Sequence, residues 1–180
     1  MEQSNHTTSK FLSLILRHKP ETIGLQLDEN GWANVDELIS KINANGKELD
    51  FESLENIVLM NDKQRFSFNE DLSMIRANQG HSIEVDLALE PALPPEKLYH
   101  GTVAKFLEAI KENGLQKMSR QHVHLSHYIY TAQKVGSRRG KPVILTILAN
   151  EMKEEGFPFF LSENGVWLCD HVPSKFILFP

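Results

Sequence analysis

Residues 120–126 read Arg-Gln-His-Val-His-Leu-Ser, a run in which polar and apolar side chains alternate. Successive side chains of a β-strand point to opposite faces, so the alternation predicts a strand here. Its apolar face is formed by Val123 and Leu125. The opposite face carries the even-numbered residues Arg120, His122, His124 and Ser126. One guanidinium, two imidazoles and a hydroxyl suit an anionic, hydrogen-bonding ligand better than they suit a core.

A second stretch, residues 97–102, reads Lys-Leu-Tyr-His-Gly-Thr. It begins as an apolar strand, and we expect it to end in a turn at His100, Gly101 and Thr102 that exposes the backbone. Gly101 lacks a Cβ and would therefore allow a ligand to approach the main chain closely. We take the two stretches together as the centre of a binding site.

The composition bounds the class of protein. The chain has 180 residues, of which 41% are hydrophobic and 24% charged, as expected for one soluble domain or two small lobes. Cys169 is the sole cysteine, which excludes an intramolecular disulfide and a cysteine-based zinc site. No apolar run approaches the length of a membrane span, and the start of the chain lacks the pattern of a signal peptide. We expect a cytoplasmic protein and, by default, a monomer.

Charge is distributed unevenly along the chain. Residues 1–90 hold 8 Lys+Arg against 16 Asp+Glu, a net of −8, whereas residues 91–180 hold 11 against 8, a net of +3. The Pro-rich residues 91–95 coincide with this change. We therefore predict a first lobe over residues 1–90, a linker over 91–95 and a second lobe over 96–180. A polyanion could bind the acidic lobe only through a few placed cations.

The first lobe reads as three helices and a hairpin. The periodicity predicts helices over residues 10–19, 34–42 and 50–60, with N-caps in Thr7–Ser9, at Asn34 (paired with Glu37) and at Asp50. Residues 23–28 alternate as a short strand, and residues 63–68 and 73–77 form a predicted hairpin. Three helices followed by a hairpin is the order of a winged helix, a common nucleic-acid-binding module.

The second lobe reads as richer in strands. We predict helices over residues 103–113 and 127–135, a central strand over 143–148, and shorter strands over 157–161, 165–168 and 176–179. The fold class is therefore α+β.

The residues alone leave the reaction open. His122 and His124 lack a third ligand, so we expect no metal site. A P-loop, a dinucleotide-binding glycine motif and a nucleophile elbow are all missing. Arg17 and Arg65 could equally be solvated cations, and His18 a partly buried residue at the edge of an apolar stripe. This reasoning reaches an anion-binding site with Arg and His on two lobes.

A resemblance to a known family narrows these alternatives. The sequence resembles the NAD-dependent RNA 2'-phosphotransferases in seven motifs that occur in family order. These motifs are Ser9–Pro20, Gly31–Trp32, Lys63–Phe66, Arg76–Ser82, Leu98–Thr102, Arg120–Ser126 and Asn164–Trp167.

The resemblance implies a winged-helix RNA-binding lobe joined to an ADP-ribosyltransferase-like, NAD-binding lobe. It also implies that the family's essential residues are Arg17, His18, Arg65 and Arg120. Contacts to NAD are implied for His100, Gly101, Thr102, His124, Leu125 and Ser126. Arg138 and Arg139 could contact RNA or pyrophosphate or be solvated, and Trp167 could line the pocket or belong to the core.

The implied reaction has two steps and uses NAD as co-substrate. An internal RNA 2'-phosphate, as left at a tRNA splice junction, attacks the ribose carbon that bears nicotinamide and expels nicotinamide. The adjacent ribose hydroxyl of the ADP-ribosylated RNA intermediate then attacks the phosphorus. The products are 2'-hydroxyl RNA and ADP-ribose 1'',2''-cyclic phosphate.

Physical chemistry supports this assignment of residues. A phosphate monoester is largely dianionic near neutral pH and needs no base to become a nucleophile. Three arginines suit it because their planar forks match phosphate oxygens in pairs. His18 is the member of the set able to move a proton near pH 7, so we place it in the second step.

Two alternatives come from other classes of protein. An ADP-ribosyltransferase that caps phosphorylated nucleic-acid ends would stop after the first step. Protein-modifying ADP-ribosyltransferases, by contrast, commonly carry a late Glu that activates the acceptor; the resemblance places Val166 there, with Glu163 nearby but out of register, and this departure fits a phosphate acceptor, which is already anionic. A winged-helix module that binds nucleic acid without catalysis is the other alternative, which the net charge of −8 in the first lobe disfavours.

Overall fold

The computed structural model describes residues 2–180, with side chains from residue 6 onward. It divides into two compact units, Met1–Ala88 and Leu89–Pro180. The Pro-rich residues 91–95, predicted as a linker, contact the second unit: Pro91 forms a β-bridge with Phe160, and the Ala92 amide donates to the Phe159 carbonyl at 2.7 Å. Within the described range, no helix has both the length and the apolar content that crossing a bilayer requires.

The first unit combines three helices with a small antiparallel sheet. Its elements are α1 (Glu2–Arg17), β1 (Ala33–Asn34), α2 (Val35–Ala44), α3 (Phe51–Leu59), β2 (Phe66–Phe68) and β3 (Met74–Ala77). The strand order is β1-β3-β2, with β3 paired to both neighbours. The predicted hairpin is confirmed. β1 was not predicted, because a strand of two residues is too short to show alternation.

Side-chain caps fix the starts of α2 and α3, as predicted. Asn34 Oδ1 accepts from the Glu37 amide at 2.9 Å, and Asp50 Oδ1 accepts from the Ser53 amide at 2.8 Å. Each cap satisfies an amide that the first helical turn leaves without an intrahelical partner. The Glu37 carboxylate instead lies 2.9 Å from Lys41 Nζ, one turn along the helix.

Two predictions for the first unit are wrong. Thr7–Ser9 lie inside α1 and do not cap it, and Ser9 Oγ accepts from Asn61 Nδ2 at 3.1 Å. Residues 23–28 do not form a strand, because Ile23 ends a 3-10 turn and Gly24 follows with a φ of 65°. The inward side chains of Ile23 and Leu25 are nevertheless buried, which explains the alternation seen in the sequence.

The core of this unit lies between α1, the other two helices and the sheet. Fully buried residues come from α1 (Leu12, Ile15, Leu16), α2 (Leu38, Ile42), α3 (Leu54) and β3 (Ile75). The last turn of α1 therefore rests on a rigid base, and the residues that follow it are held in place.

The second unit is built from short antiparallel sheets and three helices. Its elements are β4 (Leu98–Val103), α4 (Leu107–Asn113), β5 (Leu115–Gln116), β6 (Val123–Leu125), α5 (Ile129–Gly136), β7 (Pro142–Ile147), α6 (Ala149–Glu154), β8 (Phe160–Leu161), β9 (Trp167–Cys169), β10 (His171–Val172) and β11 (Ile177–Leu178). Three sheets have the orders β11-β7-β4, β6-β9-β8 and β10-β5. β7 is central in its sheet, as predicted, and the α+β class is confirmed. The winged-helix and ADP-ribosyltransferase-like assignments stay predictions.

The predicted turn at residues 100–102 is wrong. His100, Gly101 and Thr102 lie inside β4 and pair in register with Leu145, Ile144 and Val143 of β7. Helix α5 packs directly against this strand. A Cβ added to Gly101 would lie 1.8 Å from the Ala132 carbonyl oxygen, so the glycine allows helix and strand backbones to meet.

The core of the second unit is formed by β4, β6, β7 and β9 with the loop before β8. Leu98, Leu125, Leu145, Ile147 and Phe159 are among its fully buried side chains. Trp167 is 7% exposed and belongs to this core, which is the simpler of its two predicted roles.

Candidate functional site

The end of α1 presents His18 next to a hydroxyl from a distant part of the chain. His18 Nδ1 lies 2.8 Å from Ser82 Oγ, and the Ser82 amide donates to the Arg17 carbonyl at 2.9 Å. Ser82 thus satisfies a carbonyl at the helix C-terminus and orients the imidazole that follows it. Because the Ser82 hydroxyl contacts Nδ1 of His18, the other ring nitrogen, Nε2, makes no hydrogen bond to this hydroxyl.

Arg65 is positioned by a buried amide. Asn61 is 9% exposed, and its Oδ1 accepts from Arg65 Nη1 at 3.1 Å and from the Arg65 amide at 3.3 Å. Asn61 Nδ2 donates to Ser9 Oγ of α1. The Arg65 guanidinium is also 4.0 Å from the exposed Asp62 carboxylate. Asn61 therefore links Arg65 to the helix that carries Arg17, within the first unit.

Sequence reasoning missed Asn61. It lies just after α3 and shows no periodicity of its own, and its partners are 52 and 4 residues away. An Asn followed by Asp at a helix end signals a turn. It does not reveal which side chain the amide will hold.

The loop after β3, which leads to Ser82, contains buried polar side chains. Asn78 and His81 are buried, and Asn78 Nδ2 donates to the Gln64 carbonyl at 2.7 Å. The Arg76 guanidinium stacks 4.5 Å above the centroid of the Trp32 ring. Two of the motifs in the sequence, Gly31–Trp32 and Arg76–Ser82, are thereby brought together in this unit.

In the second unit, the two stretches first singled out in the sequence lie side by side. The Tyr99 amide donates to the Ser126 carbonyl, and the Ser126 amide donates to the Tyr99 carbonyl, both at 2.8 Å. His100 Nδ1 lies 3.1 Å from the His124 carbonyl oxygen. Arg120 Nη1 donates to His124 Nδ1 at 2.9 Å. One arginine and two histidines therefore form a connected polar group across β4 and β6.

The predicted strand at 120–126 is only partly correct. β6 covers Val123–Leu125, with Ser126 in the isolated bridge, whereas residues 120–122 form a bend. The Arg120 amide donates to the Lys117 carbonyl at 3.1 Å, which closes a turn in place of a strand ladder. The His122 ring packs near Phe160, with the two ring centroids 6.1 Å apart.

The residues predicted to contact NAD differ in how far their side chains are exposed to solvent. The Leu125 side chain is 1% exposed and lies in the core, so this residue could present only its backbone to a ligand. Thr102 is buried at 7% exposure, and Gly101 is covered by α5. His100, His124 and Ser126 keep partial exposure. The predicted contacts to NAD stay predictions for all six residues.

The electrostatics of this polar group favour an anion. Partial burial lowers the pKa of Arg120, and the nearby Arg139 and Arg138 lower that pKa further. Arg120 still carries its charge at neutral pH, because a guanidinium is not deprotonated in this range even when it is partly buried. Three guanidinium groups that repel one another are stabilised when a multivalent anion binds among them.

The imidazole beside them is neutral at pH 7. Burial lowers the pKa of His100, and Arg139 lowers it further, against an opposing hydrogen bond to the His124 carbonyl. Because a neutral imidazole has one N–H and one bare nitrogen, His100 can donate through one and accept through the other. Such a group can orient a ribose or an amide without adding charge.

Other chemistries find little support in the described residues. Within residues 2–180, no group of three or more His, Cys, Asp or Glu side chains has the arrangement needed to hold a metal ion. Burial, followed by the charge of Asp170, raises the pKa of the Cys169 thiol to about 12, so Cys169 is not a nucleophile near neutral pH.

Comparison with known proteins gives one consistent result. The family model described as "RNA 2'-phosphotransferase, Tpt1 / KptA family" matches residues 3–171. A protein of Flavobacterium johnsoniae named "Probable RNA 2'-phosphotransferase" is 61% identical over 171 residues, which cover 95% of this chain and 94% of that protein. A protein of the same name from Fusobacterium nucleatum is also 61% identical, over 94% of this chain and 96% of its own length. A third protein of this name, from Rhodopirellula baltica, is 55% identical over 97% of this chain and 95% of its own length.

Proposed function

The chain belongs to the RNA 2'-phosphotransferase, Tpt1/KptA family, and on that premise we propose that it transfers an internal RNA 2'-phosphate to NAD. Family membership makes it a transferase that acts on the 2'-phosphate of RNA. The use of NAD, the two steps and the roles of the residues are the parts that we propose.

In the proposed first step, an oxygen of the RNA 2'-phosphate attacks C1'' of the nicotinamide ribose. A bond forms between C1'' and this phosphate oxygen. The bond from C1'' to the nicotinamide nitrogen breaks, and nicotinamide leaves with the bonding electrons. The charged guanidinium of Arg120 is the residue of the second unit that orients the phosphate, and neutral His100 orients the dinucleotide. The connected group of Arg120, His124 and His100 is the single observation that carries this assignment.

In the proposed second step, the ribose 2''-hydroxyl gives up its proton and its oxygen forms a bond to the phosphorus of the ADP-ribosylated RNA. The bond from phosphorus to the RNA 2'-oxygen breaks, and that oxygen takes up a proton to become a 2'-hydroxyl. We assign the proton transfer to His18, held by Ser82, and charge stabilisation to Arg17 and Arg65. ADP-ribose 1'',2''-cyclic phosphate is released.

The test is product analysis with an RNA oligonucleotide that carries one internal 2'-phosphate, with and without NAD. We expect 2'-hydroxyl RNA, nicotinamide and the cyclic phosphate in equal amounts, and only with NAD. Phosphate loss without NAD contradicts the proposal. A product that stays ADP-ribosylated supports instead an enzyme that stops after the first step.

Arg120→Ala is the informative variant. We expect it to lower kcat by about two to three orders of magnitude, as for loss of a residue that stabilises transition-state charge. Lys153→Ala removes an exposed cation from α6 of the same unit and serves as the matched control. Equal rates for Arg120→Ala and the wild type would remove Arg120 from the active site.

A further inference from the structure

A cluster of exposed aromatic rings follows β6 and is not used by the reaction proposed above. His127, Tyr128 and Tyr130 lie in the four residues after the Ser126 bridge. The His127 and Tyr128 ring centroids are 4.7 Å apart, and the Tyr128 and Tyr130 rings stack at 5.9 Å with an interplanar angle of 28°. Tyr128 is 59% exposed and Tyr130 69% exposed. We call these three residues the aromatic platform.

The platform has no structural role in packing α5. The helix meets β4 through Ala132, which is 1% exposed, and through Gly136, whose added Cβ would lie 3.0 Å from the Thr102 carbonyl oxygen. Tyr128 occupies the N-cap position of α5 but makes no capping hydrogen bond. Large aromatic side chains exposed in a group are unusual on a monomer surface and indicate an interaction site.

The surroundings of the platform are cationic. Between Glu112 and Glu151 the sequence contains six Lys+Arg and no Asp or Glu. These cations are Lys117, Arg120, Lys134, Arg138, Arg139 and Lys141, of which Lys117 is paired with the Asp170 carboxylate at 2.7 Å. Lys134 lies on the exposed side of α5, and Arg138 and Arg139 are exposed in the 3-10 turn that follows it.

The C-terminal end of this cationic segment lies near Arg120 of the proposed phosphate site. Arg139 and Arg138 are close enough to Arg120 to lower its pKa. The Arg139 guanidinium also lies 6.0 Å from the Phe106 ring centroid. The segment that carries the aromatic platform therefore ends in residues that share the electrostatic environment of Arg120.

We propose that the aromatic platform binds the bases of single-stranded RNA next to the 2'-phosphorylated nucleotide, with Lys134 and Arg138 binding the intervening phosphates. Exposed aromatic rings bordered by Lys and Arg are the combination that binds single-stranded nucleic acid, because every base has a face that can stack. Duplex RNA does not fit this surface, since its bases are already stacked and its major groove is deep and narrow. The inference deepens the proposed function and rests on it for the position of the 2'-phosphate.

The primary test is binding and needs no catalysis. We would measure fluorescence anisotropy of a labelled 12-nucleotide single-stranded RNA without a 2'-phosphate, in the absence of NAD. The double variant Tyr128→Ala/Tyr130→Ala is expected to weaken binding at least tenfold, given the usual contribution of base–aromatic stacking. Tyr128→Phe/Tyr130→Phe keeps both rings and should bind within about twofold of the wild type. Leu178→Ala, at a position that is 49% exposed on β11, is the control for removing exposed apolar surface.

A kinetic measurement locates the bound RNA relative to the phosphate. With 2'-phosphorylated substrates, the wild type should prefer a 12-nucleotide RNA over a dinucleotide, and the double Ala variant should lose about tenfold of that preference. Wild-type affinity for the 12-nucleotide RNA in the double Ala variant overturns the inference. A raised KM for NAD with unchanged RNA affinity also overturns the inference, because it shows that the rings bind NAD and not RNA.

Two further outcomes separate this inference from the proposed function. If the protein releases no phosphate but binds single-stranded RNA through the tyrosines, the proposed function fails and the platform stands. If RNA affinity is unchanged while sedimentation shows that the double Ala variant loses self-association, the rings form a protein contact and the inference fails.

Discussion

At the C-terminus of α1, one hydroxyl determines how an imidazole is oriented. Ser82 Oγ lies 2.8 Å from His18 Nδ1, whereas the Ser82 amide binds the helix end through the Arg17 carbonyl. Replacing Ser82 by Ala removes the hydroxyl but keeps the backbone hydrogen bond. The two contributions of this residue can therefore be separated by mutation.

Ser82→Ala is expected to lower kcat about tenfold with little change in KM for RNA, the effect of losing one hydrogen bond that orients a reacting group. Because His18 is assigned to the second step, ADP-ribosylated RNA should accumulate. Ser82→Thr should restore the rate, and Ser73→Ala, at an exposed serine of the hairpin, is the control. A rise in KM without any loss of kcat would show that Ser82 supports RNA binding and not the orientation of His18.

His100 gives a prediction about pH. Burial and Arg139 lower its pKa in the folded state, so below about pH 6.5, the usual histidine value, the unfolded chain binds a proton that the folded chain does not. Stability contributed by this group is therefore complete above that pH and decreases as the pH falls. Urea unfolding at pH 7.5 and 5.5 should show a smaller pH effect for His100→Gln than for the wild type. His6→Gln, at an exposed position, is the control, and an equal pH effect in all three proteins would rule His100 out as the cause.

Alternation in the sequence predicts which of these side chains are buried, but it does not predict their distant hydrogen-bond partners. Alternation correctly separates Val123 and Leu125, both buried, from His124, because burial of one strand face leaves a direct trace in sequence. It extends the strand too far, to Arg120, because the turn closed by the Lys117 carbonyl has no such trace. The roles of Asn61 and Ser82 depend on partners 52 and 64 residues away, which no local pattern contains.

At the level of elements, the decisive contact in the second unit is that between α5 and β4. The predicted turn at His100–Thr102 is wrong because a glycine in a sequence suggests a break, whereas β7 pairs with the whole strand. Gly101 is needed because any side chain at this position would collide with the backbone of α5. Short pairs such as β5 and β10 escape prediction for a related reason, since two residues carry no alternation.

Gly101→Ala should destabilise the second unit by about 3 kcal/mol or more, as overpacking of a closely packed core does. The added methyl group would overlap the Ala132 carbonyl, which is backbone and cannot rotate away. Gly156→Ala is the comparison: no atom lies within 4 Å of its added Cβ, and only its φ of 94° opposes the change. Thermal unfolding of both variants should rank Gly101→Ala well below Gly156→Ala. The reverse order would show that α5 can shift away from β4 at little cost.

At the scale of the whole molecule, an acidic protein is proposed to bind RNA. Residues 1–88 hold 8 Lys+Arg against 15 Asp+Glu, a net of −7, and residues 89–180 hold 11 against 9, a net of +2. This asymmetry is visible in the sequence, as is the position of the charge change. The overall field does not attract RNA, so binding has to come from individually placed cations, and the second unit carries most of the Lys and Arg side chains.

The dependence of RNA binding on salt measures how many cations take part. Four of them, Arg120, Lys134, Arg138 and Arg139, lie at or near the aromatic platform and the phosphate site. For single strands the slope of log K against log salt is about −0.7 per neutralised phosphate, so four contacts give about −2.8, or a loss of about fiftyfold between 50 and 200 mM salt. Arg138→Ala should reduce the slope by about 0.7, and Lys153→Ala should leave it unchanged. A slope of about −6 or steeper would mean that RNA is held by many more cations than this surface offers, and a slope near zero would mean that stacking alone holds it.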